Sequence, residues 1–348
     1  MKRKAWKTLF MGAGLSAALV MGAMGVQAEE AETEAVTEAA TEAAAEEETA
    51  AAEENAAAEE EADDEENYDT GDASLDNIRN QDEIGENELL VLSFGTSFND
   101  SRRLTIGAIE DAIDEALPEE WSVRRGFTAN IVIDHVERRD GIHIDDINEA
   151  LDRAVDNGVK KLVVQPTHLM NGIEYDEIMG KLAEYADAFE KVVVGEPLLT
   201  SDEDFDTVAD AIVEATKEYD DGETAICFMG HGTEAESNQV YQKMQDVLTK
   251  KGMANYYVGT VEATPSLDDV LAAVQAGEYK RVVLRPLMVV AGDHANNDMA
   301  GDEDGTWKKT FEDAGYEVVT VLEGLGQIPV IQDLYVAHAQ AAVDSLAE

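Results

Sequence analysis

The sequence predicts an α/β fold of two similar halves, each a parallel sheet flanked by helices, with a cleft between them. Three observations predict it. Short apolar runs without polar alternation recur from Leu89 onward, as strands buried on both faces of a parallel sheet require. Longer runs with helical spacing of their apolar residues separate them. Two pairs of motifs repeat in the same order along the chain, which indicates a duplicated unit.

The first element is the apolar run Leu89–Phe94, which predicts a strand that ends at Gly95–Ser97. A helical pattern follows over Leu104–Leu117, and Pro118 marks its end. The same alternation continues through the remainder of the chain, with strand candidates at Lys161–Pro166, Lys191–Gly195, Ala225–Met229, Tyr256–Gly259, Arg281–Leu284 and Tyr316–Val319.

The repeat consists of two matched pairs of motifs. Leu92–Thr96 (LSFGT) resembles Met229–Thr233 (MGHGT), and Lys160–Pro166 (KKLVVQP) resembles Lys280–Pro286 (KRVVLRP). We therefore expect one half over residues 89–205 and the other over residues 206–348. Ligands of such folds bind at the carboxyl ends of the strands, so we expect the functional site in the cleft between the halves.

Residues 1–28 have the pattern of a secretory signal. Basic residues precede an apolar run over Leu9–Val26, and the small residue Ala28 closes it. A retained membrane anchor is the alternative, because the apolar run approaches the length that spans a bilayer. Removal of the signal is favoured by the glycines and the cleavage-like end, and the pattern predicts an exported, extracytoplasmic protein.

Residues 29–88 are predicted to form a disordered acidic tether. The segment consists mainly of Ala, Glu, Thr and Asp, and it offers too little apolar surface to offset the entropy of ordering. The whole chain has 76 acidic and 25 basic residues and a formal net charge of −51. A protein this acidic repels nucleic acid and anionic membranes, which we exclude as partners.

Three side chains that suit a metal ion follow strands of the second half. His231 and His294 each come just after a predicted strand, and Glu262 follows the strand between them. Because strand ends of one parallel sheet point the same way, these side chains are expected to converge. Two imidazoles and a carboxylate suit Co²⁺, Ni²⁺, Fe²⁺ or Zn²⁺. The alternative is that each histidine is a loop residue bonded to backbone carbonyls.

Four segments of the chain resemble the anaerobic sirohydrochlorin cobaltochelatase family, the CbiK type. The resemblance runs from about residue 89 to the C-terminus. It lies in the segments Ser93–Ser97 (SFGTS), Gln165–His168 (QPTH), Met229–Thr233 (MGHGT) and Pro286–Ala295 (PLMVVAGDHA). It implies a pair of Rossmann-like halves, in agreement with the repeat. It also implies that His231, Glu262 and His294 bind the metal.

The resemblance implies that Co²⁺ is inserted into sirohydrochlorin. Insertion removes two pyrrole protons, and we expect His231 or Glu262 to receive one of them. Arg102, Arg103 and Arg285 are expected near strand ends, where they would bind the carboxylates of the tetrapyrrole. His168 is expected at the edge of the cleft, in reach of substrate.

Two departures from the family pattern concern metal or substrate preference. Ala235 stands where many members have a second histidine, and Ala263–Thr264 stands where Gly-Tyr is usual. Iron or nickel insertion therefore remains an alternative, as does an extracytoplasmic carrier that binds metal or tetrapyrrole without turnover. A dinucleotide-dependent enzyme is disfavoured, because no Gly-x-Gly-x-x-Gly follows the first strand. The sequence leaves oligomeric state and haem binding open.

Overall fold

The computed structural model describes residues 70–82 and 84–346. The described residues belong to one compact unit. The expected signal over residues 1–28 and the tether up to residue 69 lie outside the described residues. Within the described ranges, no helix combines the length and the apolar character needed to cross a bilayer.

The first half is built on a four-stranded parallel sheet with the order β2-β1-β3-β4. Its strands are β1 Asn87–Ser93, β2 Trp121–Phe127, β3 Lys161–Pro166 and β4 Lys191–Val194. The sequence pattern gives no indication of β2, because Arg124 and Arg125 interrupt its apolar run. Both arginines are fully buried and form ion pairs with buried acids, so polar residues here are compatible with an interior strand.

The second half repeats this arrangement in a sheet of order β6-β5-β7-β8, also parallel. Its strands are β5 Thr224–Gly230, β6 Tyr256–Thr260, β7 Arg281–Pro286 and β8 Glu317–Thr320. Ser93 pairs with Phe127 in the first sheet as Gly230 pairs with Thr260 in the second. The predicted two-half fold is therefore confirmed.

Helices connect the strands, as parallel pairing requires. The α-helices are α1 Asn99–Arg102, α2 Ala108–Ala116, α3 Asn130–Asp140, α4 Ile147–Asp156, α5 Ile173–Tyr185, α6 Asp202–Ala215, α7 Gln239–Lys250, α8 Leu267–Gln275, α9 Trp307–Asp313 and α10 Pro329–Ser345. Two π-helical turns, Arg103–Gly107 and Ala295–Met299, lie after β1 and after β7. The second follows His294 directly, so it lies at the expected site.

One hydrophobic core joins the halves. It contains Leu89 and Val91 of β1, Phe228 of β5 and Tyr335 of α10, all buried. The hydroxyl of Tyr335 donates to the carbonyl of Thr167 at 2.7 Å, which fixes the C-terminal helix against the first half. The expected boundary between residues 205 and 206 falls inside α6. The chain passes from the first sheet to the second between β4 and β5, and α10 packs back against the first half.

The described part of the predicted tether is ordered by long-range contacts. We call Thr70–Asp82 the N-terminal strap. The carbonyl of Arg79 in the strap accepts a hydrogen bond from the backbone of Arg125 at 3.2 Å, and so covers the edge of β2. The side chain of Asp76 is 1 % exposed. The tether expectation is therefore corrected for residues 70–82, because buried arginines of the fold provide the partners that composition does not indicate.

Candidate metal centre

His231 follows β5 in a turn that only glycines can form. Gly232 has φ +95°, and a Cβ at Gly230 would lie 2.1 Å from Cε1 of Tyr241. The hydroxyl of Tyr241 accepts a hydrogen bond from the backbone of Gly232 at 3.2 Å. Nδ1 of His231 lies 2.7 Å from the carbonyl of Gly232. A proton on Nδ1 satisfies that carbonyl and leaves the lone pair of Nε2 for a metal ion.

Glu262 lies two residues beyond the end of β6, and the backbone ties it to the His231 turn. Its N–H donates to the carbonyl of His231 at 2.9 Å, and Val261 donates to the carbonyl of Gly230 at 3.0 Å. The carboxylate oxygen Oε2 lies 3.8 Å from Nδ1 of His231. Because 43 % of the Glu262 side chain is exposed, the carboxylate can meet a ligand from solvent.

His294 ends the loop after β7, immediately before the π-helical turn Ala295–Met299. Its Nδ1 lies 2.8 Å from Oδ2 of Asp298, so a proton on Nδ1 is held by a carboxylate and Nε2 is left as the donor atom. The imidazole rings of His231 and His294 lie 4.7 Å apart between centroids, at 75° to one another. Asp293 lies beside this pair and forms a second acidic group with His294 and Asp298.

The structure brings together the three residues expected to converge. One potential ligand atom each of His231, Glu262 and His294 lies within 4.8 Å of the other two. Atoms that bind one ion at about 2.1 Å lie within about 4.2 Å of each other, so small side-chain rotations give them a common metal position. The set has three protein ligands and an accessible fourth side, which suits an ion that must enter and leave.

The first half contributes a second pair of side chains to the cleft. Nε2 of His168, a residue whose side chain is 5 % exposed, lies 3.1 Å from Oε2 of Glu174. Partial burial opposes ionisation of Glu174, but the nearby imidazoles of His168 and His231 favour the carboxylate form and hold its pKa below the usual range. The effect of His231 on this pKa places Glu174 within electrostatic reach of the His231 imidazole.

The repeat contains the signal that could have identified Glu174. It lies eight residues after Pro166 of β3, just as His294 lies eight residues after Pro286 of β7. Because the two strands occupy the same place in their sheets, Glu174 is the first-half counterpart of His294. Its position in the first turn of α5, away from the strand end itself, makes it inconspicuous in the sequence.

A third group of potential ligands lies outside the cleft. His143 has Glu149 within 3.1 Å and Asp145 within 4.0 Å of Nε2. The carboxylate of Asp145 is already bonded to Arg124 at 2.7 Å and to Arg153 at 2.7 Å. Its negative charge is thus balanced by two guanidinium groups, and the cluster is better explained as an ion-pair network than as a metal site.

The expectation that Arg102 binds substrate carboxylates is corrected by its surroundings. The guanidinium is fully buried and donates to Asp76 at 2.7 Å, to the carbonyl of Thr96 at 3.1 Å and to Asn99 at 2.6 Å. These contacts use the donors that a substrate carboxylate would need.

Arg285 is also corrected as a substrate ligand, since its side chain is 2 % exposed and lies beneath the surface. It contacts the carbonyl of Ala215 at 3.4 Å and Glu323 at 3.3 Å. Arg103 is different, because 34 % of its side chain is exposed and it pairs with the exposed Asp100 at 3.1 Å. Of the three arginines, only Arg103 is accessible to an anionic ligand.

Comparison with known proteins identifies related chains. A model of the cobalt chelatase (CbiK) family matches residues 87–344. The sirohydrochlorin cobaltochelatase of Salmonella typhimurium is 34 % identical over 260 residues, covering 75 % of this chain and 97 % of that protein. The sirohydrochlorin cobaltochelatase CbiKC of Nitratidesulfovibrio vulgaris is 28 % identical over 278 residues, covering 79 % and 97 %.

Solved structures of chelatases share the fold of this chain. SirB from Bacillus subtilis with Fe³⁺ has a TM-score of 0.52 at 11 % identity, over 76 % of this chain and 98 % of that one. The sirohydrochlorin chelatase SirB from Bacillus subtilis subspecies spizizenii in complex with cobalt has a TM-score of 0.51 at 11 % identity, over 75 % and 96 %. At this identity the likeness concerns the fold alone.

Proposed function

This chain belongs to the cobalt chelatase (CbiK) family, and from that membership we propose that it inserts Co²⁺ into sirohydrochlorin with release of two protons. The observation that carries the proposal is the convergence of His231, Glu262 and His294 at the strand ends of the second half. Relatives named sirohydrochlorin cobaltochelatase support both the metal and the tetrapyrrole. The enzyme is then a metal chelatase, with Co²⁺ as a substrate.

Metal insertion requires that a divalent ion be held without its full hydration shell and still be released. Two neutral imidazoles and one carboxylate do this, because three ligands leave coordination positions open to the incoming macrocycle nitrogens. The carbonyl of Gly232 and the carboxylate of Asp298 each orient one imidazole through Nδ1. The ion is therefore presented by Nε2 atoms whose tautomers are fixed before substrate arrives.

The second requirement is removal of two pyrrole protons. In our proposal His231 or Glu262 receives one as its bond to the metal is replaced. Glu174 is the acceptor for the other, since its carboxylate is kept ionised beside His168 and is within electrostatic reach of His231. The second half then binds the metal, and the first half assists deprotonation.

The carboxylates of sirohydrochlorin need a positive partner in an acidic protein. Arg102 and Arg285 are buried, so Arg103, whose guanidinium reaches solvent, is the candidate among the three expected arginines. Its pairing with Asp100 is exposed and weak, so a bidentate substrate carboxylate can replace it.

An exported form of this activity is also part of the proposal, supported by the signal-like pattern of residues 1–28. That pattern equally favours a second function, a carrier that binds Co²⁺ or tetrapyrrole outside the cell without turnover. Counting metallated product separates the two, since a carrier forms at most one equivalent per protein.

The experiment follows the absorption change of sirohydrochlorin on addition of Co²⁺, with parallel assays of Fe²⁺ and Ni²⁺. Replacement of His231 or His294 by Ala should reduce the rate by at least about 10²-fold, because each removes a metal ligand. The surface variant Asp302→Asn serves as the control. Undiminished rates in both histidine variants would refute the assignment.

A further inference from the structure

The N-terminal strap precedes the part of the chain that the family model matches, residues 87–344. We propose that it is a positioning element for the metal site: Asp76 fixes α1, and Ser101 of α1 fixes the loop that ends at His294. The inference rests on the proposed metal site and adds residues to it that touch neither metal nor tetrapyrrole.

Asp76 fastens the strap to two buried arginines. Its carboxylate accepts from Arg102 at 2.7 Å and from Arg125 at 2.7 Å and 3.1 Å. Both guanidinium groups are fully buried, and Asp76 is the carboxylate that Arg102 contacts. Further upstream, the carbonyl of Thr70 accepts from the backbone of Asp100 at 2.8 Å. The strap is thus bonded to both ends of the four-residue helix α1.

Ser101, one residue before Arg102, connects this helix to the second half. Its hydroxyl accepts a hydrogen bond from the backbone N–H of Ala291 at 2.9 Å, and both residues are buried. Ala291 lies three residues before His294. A buried backbone N–H that loses its acceptor is costly, so this hydrogen bond holds the loop in one place.

The loop is also packed tightly against the first half at Gly292. A Cβ there would lie 2.8 Å from Oγ1 of Thr96, so the backbone of the loop fits directly against the turn after β1. The carbonyl of Gly292 in turn accepts from the side chain of Asn296 at 2.7 Å, across the turn that contains His294. A shift of α1 would therefore move the backbone from which His294 projects.

These contacts connect the strap to His294 in one order. The strap fixes Arg102, α1 places Ser101, and Ser101 places Ala291 and the imidazole that follows. The His231 turn has its own support from Tyr241 within the second half. Loss of the strap contact should therefore change the position of His294 relative to His231 and not the position of His231 itself.

The test uses Co²⁺ alone with the full chain. Binding is measured by calorimetry, and the visible absorption of bound Co²⁺ reports the ligand geometry. Asp76→Asn and Ser101→Ala should each weaken Co²⁺ binding about threefold to tenfold and alter the absorption band, since they change the support of one ligand and remove none. Their effects should be non-additive in the double variant, because both act through α1.

Two controls distinguish positioning from general instability. Asp72→Asn removes a strap carboxylate that, among the described residues, bonds Ser74, and should leave Co²⁺ binding at the parental level. Asp145→Asn removes a buried acid from a network elsewhere in the first half, and should lower the unfolding free energy without changing the Co²⁺ spectrum. If Asp76→Asn fails to fold, Ser101→Ala carries the test.

Parental Co²⁺ affinity and spectrum in Ser101→Ala would overturn the inference, whatever the insertion rate. If the parent protein binds Co²⁺ but yields no metallated product, the proposed function fails and the positioning role is still decided by these binding data. If the parent does not bind Co²⁺, both fail.

Discussion

Nδ1 of His294 lies 2.8 Å from Oδ2 of Asp298, and the carboxylate is four residues further along the chain. The π-helical turn Ala295–Met299 between them widens the helix at this point. A carboxylate that accepts the Nδ1 proton of an imidazole fixes its tautomer and raises the basicity of Nε2. In the proposed metal site, Asp298 thus orients the His294 imidazole.

Removal of this carboxylate should weaken the site. Asp298→Ala is expected to reduce Co²⁺ affinity and insertion rate about 10- to 100-fold, and Asp298→Asn less, because the amide oxygen can still accept the proton. Calorimetry with Co²⁺ and the insertion assay measure the two effects. The exposed Asp302, paired with Lys308, provides the matched control Asp302→Asn. Parental affinity in Asp298→Ala would contradict the role.

Tyr241 supports the backbone turn that carries His231. In Tyr241→Phe the buried N–H of Gly232 loses its acceptor, which should lower the unfolding free energy by about 1–3 kcal/mol and weaken Co²⁺ binding several-fold. Urea unfolding and calorimetry provide the readouts.

Tyr256→Phe is the matched control, since this buried tyrosine of β6 bonds Thr216 at 3.1 Å, away from the cleft. It should reduce stability without affecting the metal. A loss of Co²⁺ affinity equal in both variants would mean that Tyr241 acts through stability alone.

Much of this site is predictable from the sequence, and the reasons are local. His231, Glu262 and His294 follow strands of one parallel sheet, and the direction of those strands alone makes them converge. The sequence does not reveal the environment of a charged side chain. Arg102 and Arg103 are neighbours after the same strand, yet one is fully buried and the other is about one-third exposed.

The strap was unpredictable for a related reason. Its composition is that of the acidic tether. Its ordered structure depends on ion pairs of Asp76 and Arg79 with residues more than twenty positions away in the sequence. Composition measures the apolar surface of a segment and not its long-range ion pairs.

Glu174 should affect turnover more than binding. Glu174→Gln removes the proposed proton acceptor, so kcat should fall about 10²-fold while Co²⁺ affinity stays within about twofold. Steady-state assays at saturating Co²⁺, together with calorimetry, separate the two quantities. Glu177→Gln, in the same helix, is the control and should retain kcat. If Co²⁺ affinity falls as much as kcat in Glu174→Gln, this carboxylate is a metal ligand instead.

Glu88 on β1 should make the stability of the first half depend on pH. The carboxylate is fully buried, its nearest cation is Arg124 at 3.5 Å, and its Oε2 has no hydrogen-bond partner among the described residues. Burial, with a smaller effect of the Asp145 charge, raises the pKa of Glu88 to about 7, against the opposing effect of Arg124.

The sign of the effect follows from proton binding. Between pH 4.5 and about 7 the folded protein keeps a proton on Glu88 that the unfolded chain has released. The contribution of Glu88 to stability is therefore fully present below its pKa in the unfolded chain. It is lost as pH rises through its pKa in the folded protein, on the order of 1 kcal/mol per pH unit.

Glu88→Gln should remove this loss, so the variant should be more stable than the parent at pH 8 and similar to it at pH 5. Urea unfolding at the two pH values measures the difference, with the exposed Glu86→Gln as the control. If Glu88→Gln lowers stability equally at both pH values, the carboxylate is ionised in the folded state and its pairing with Arg124 outweighs the effect of burial.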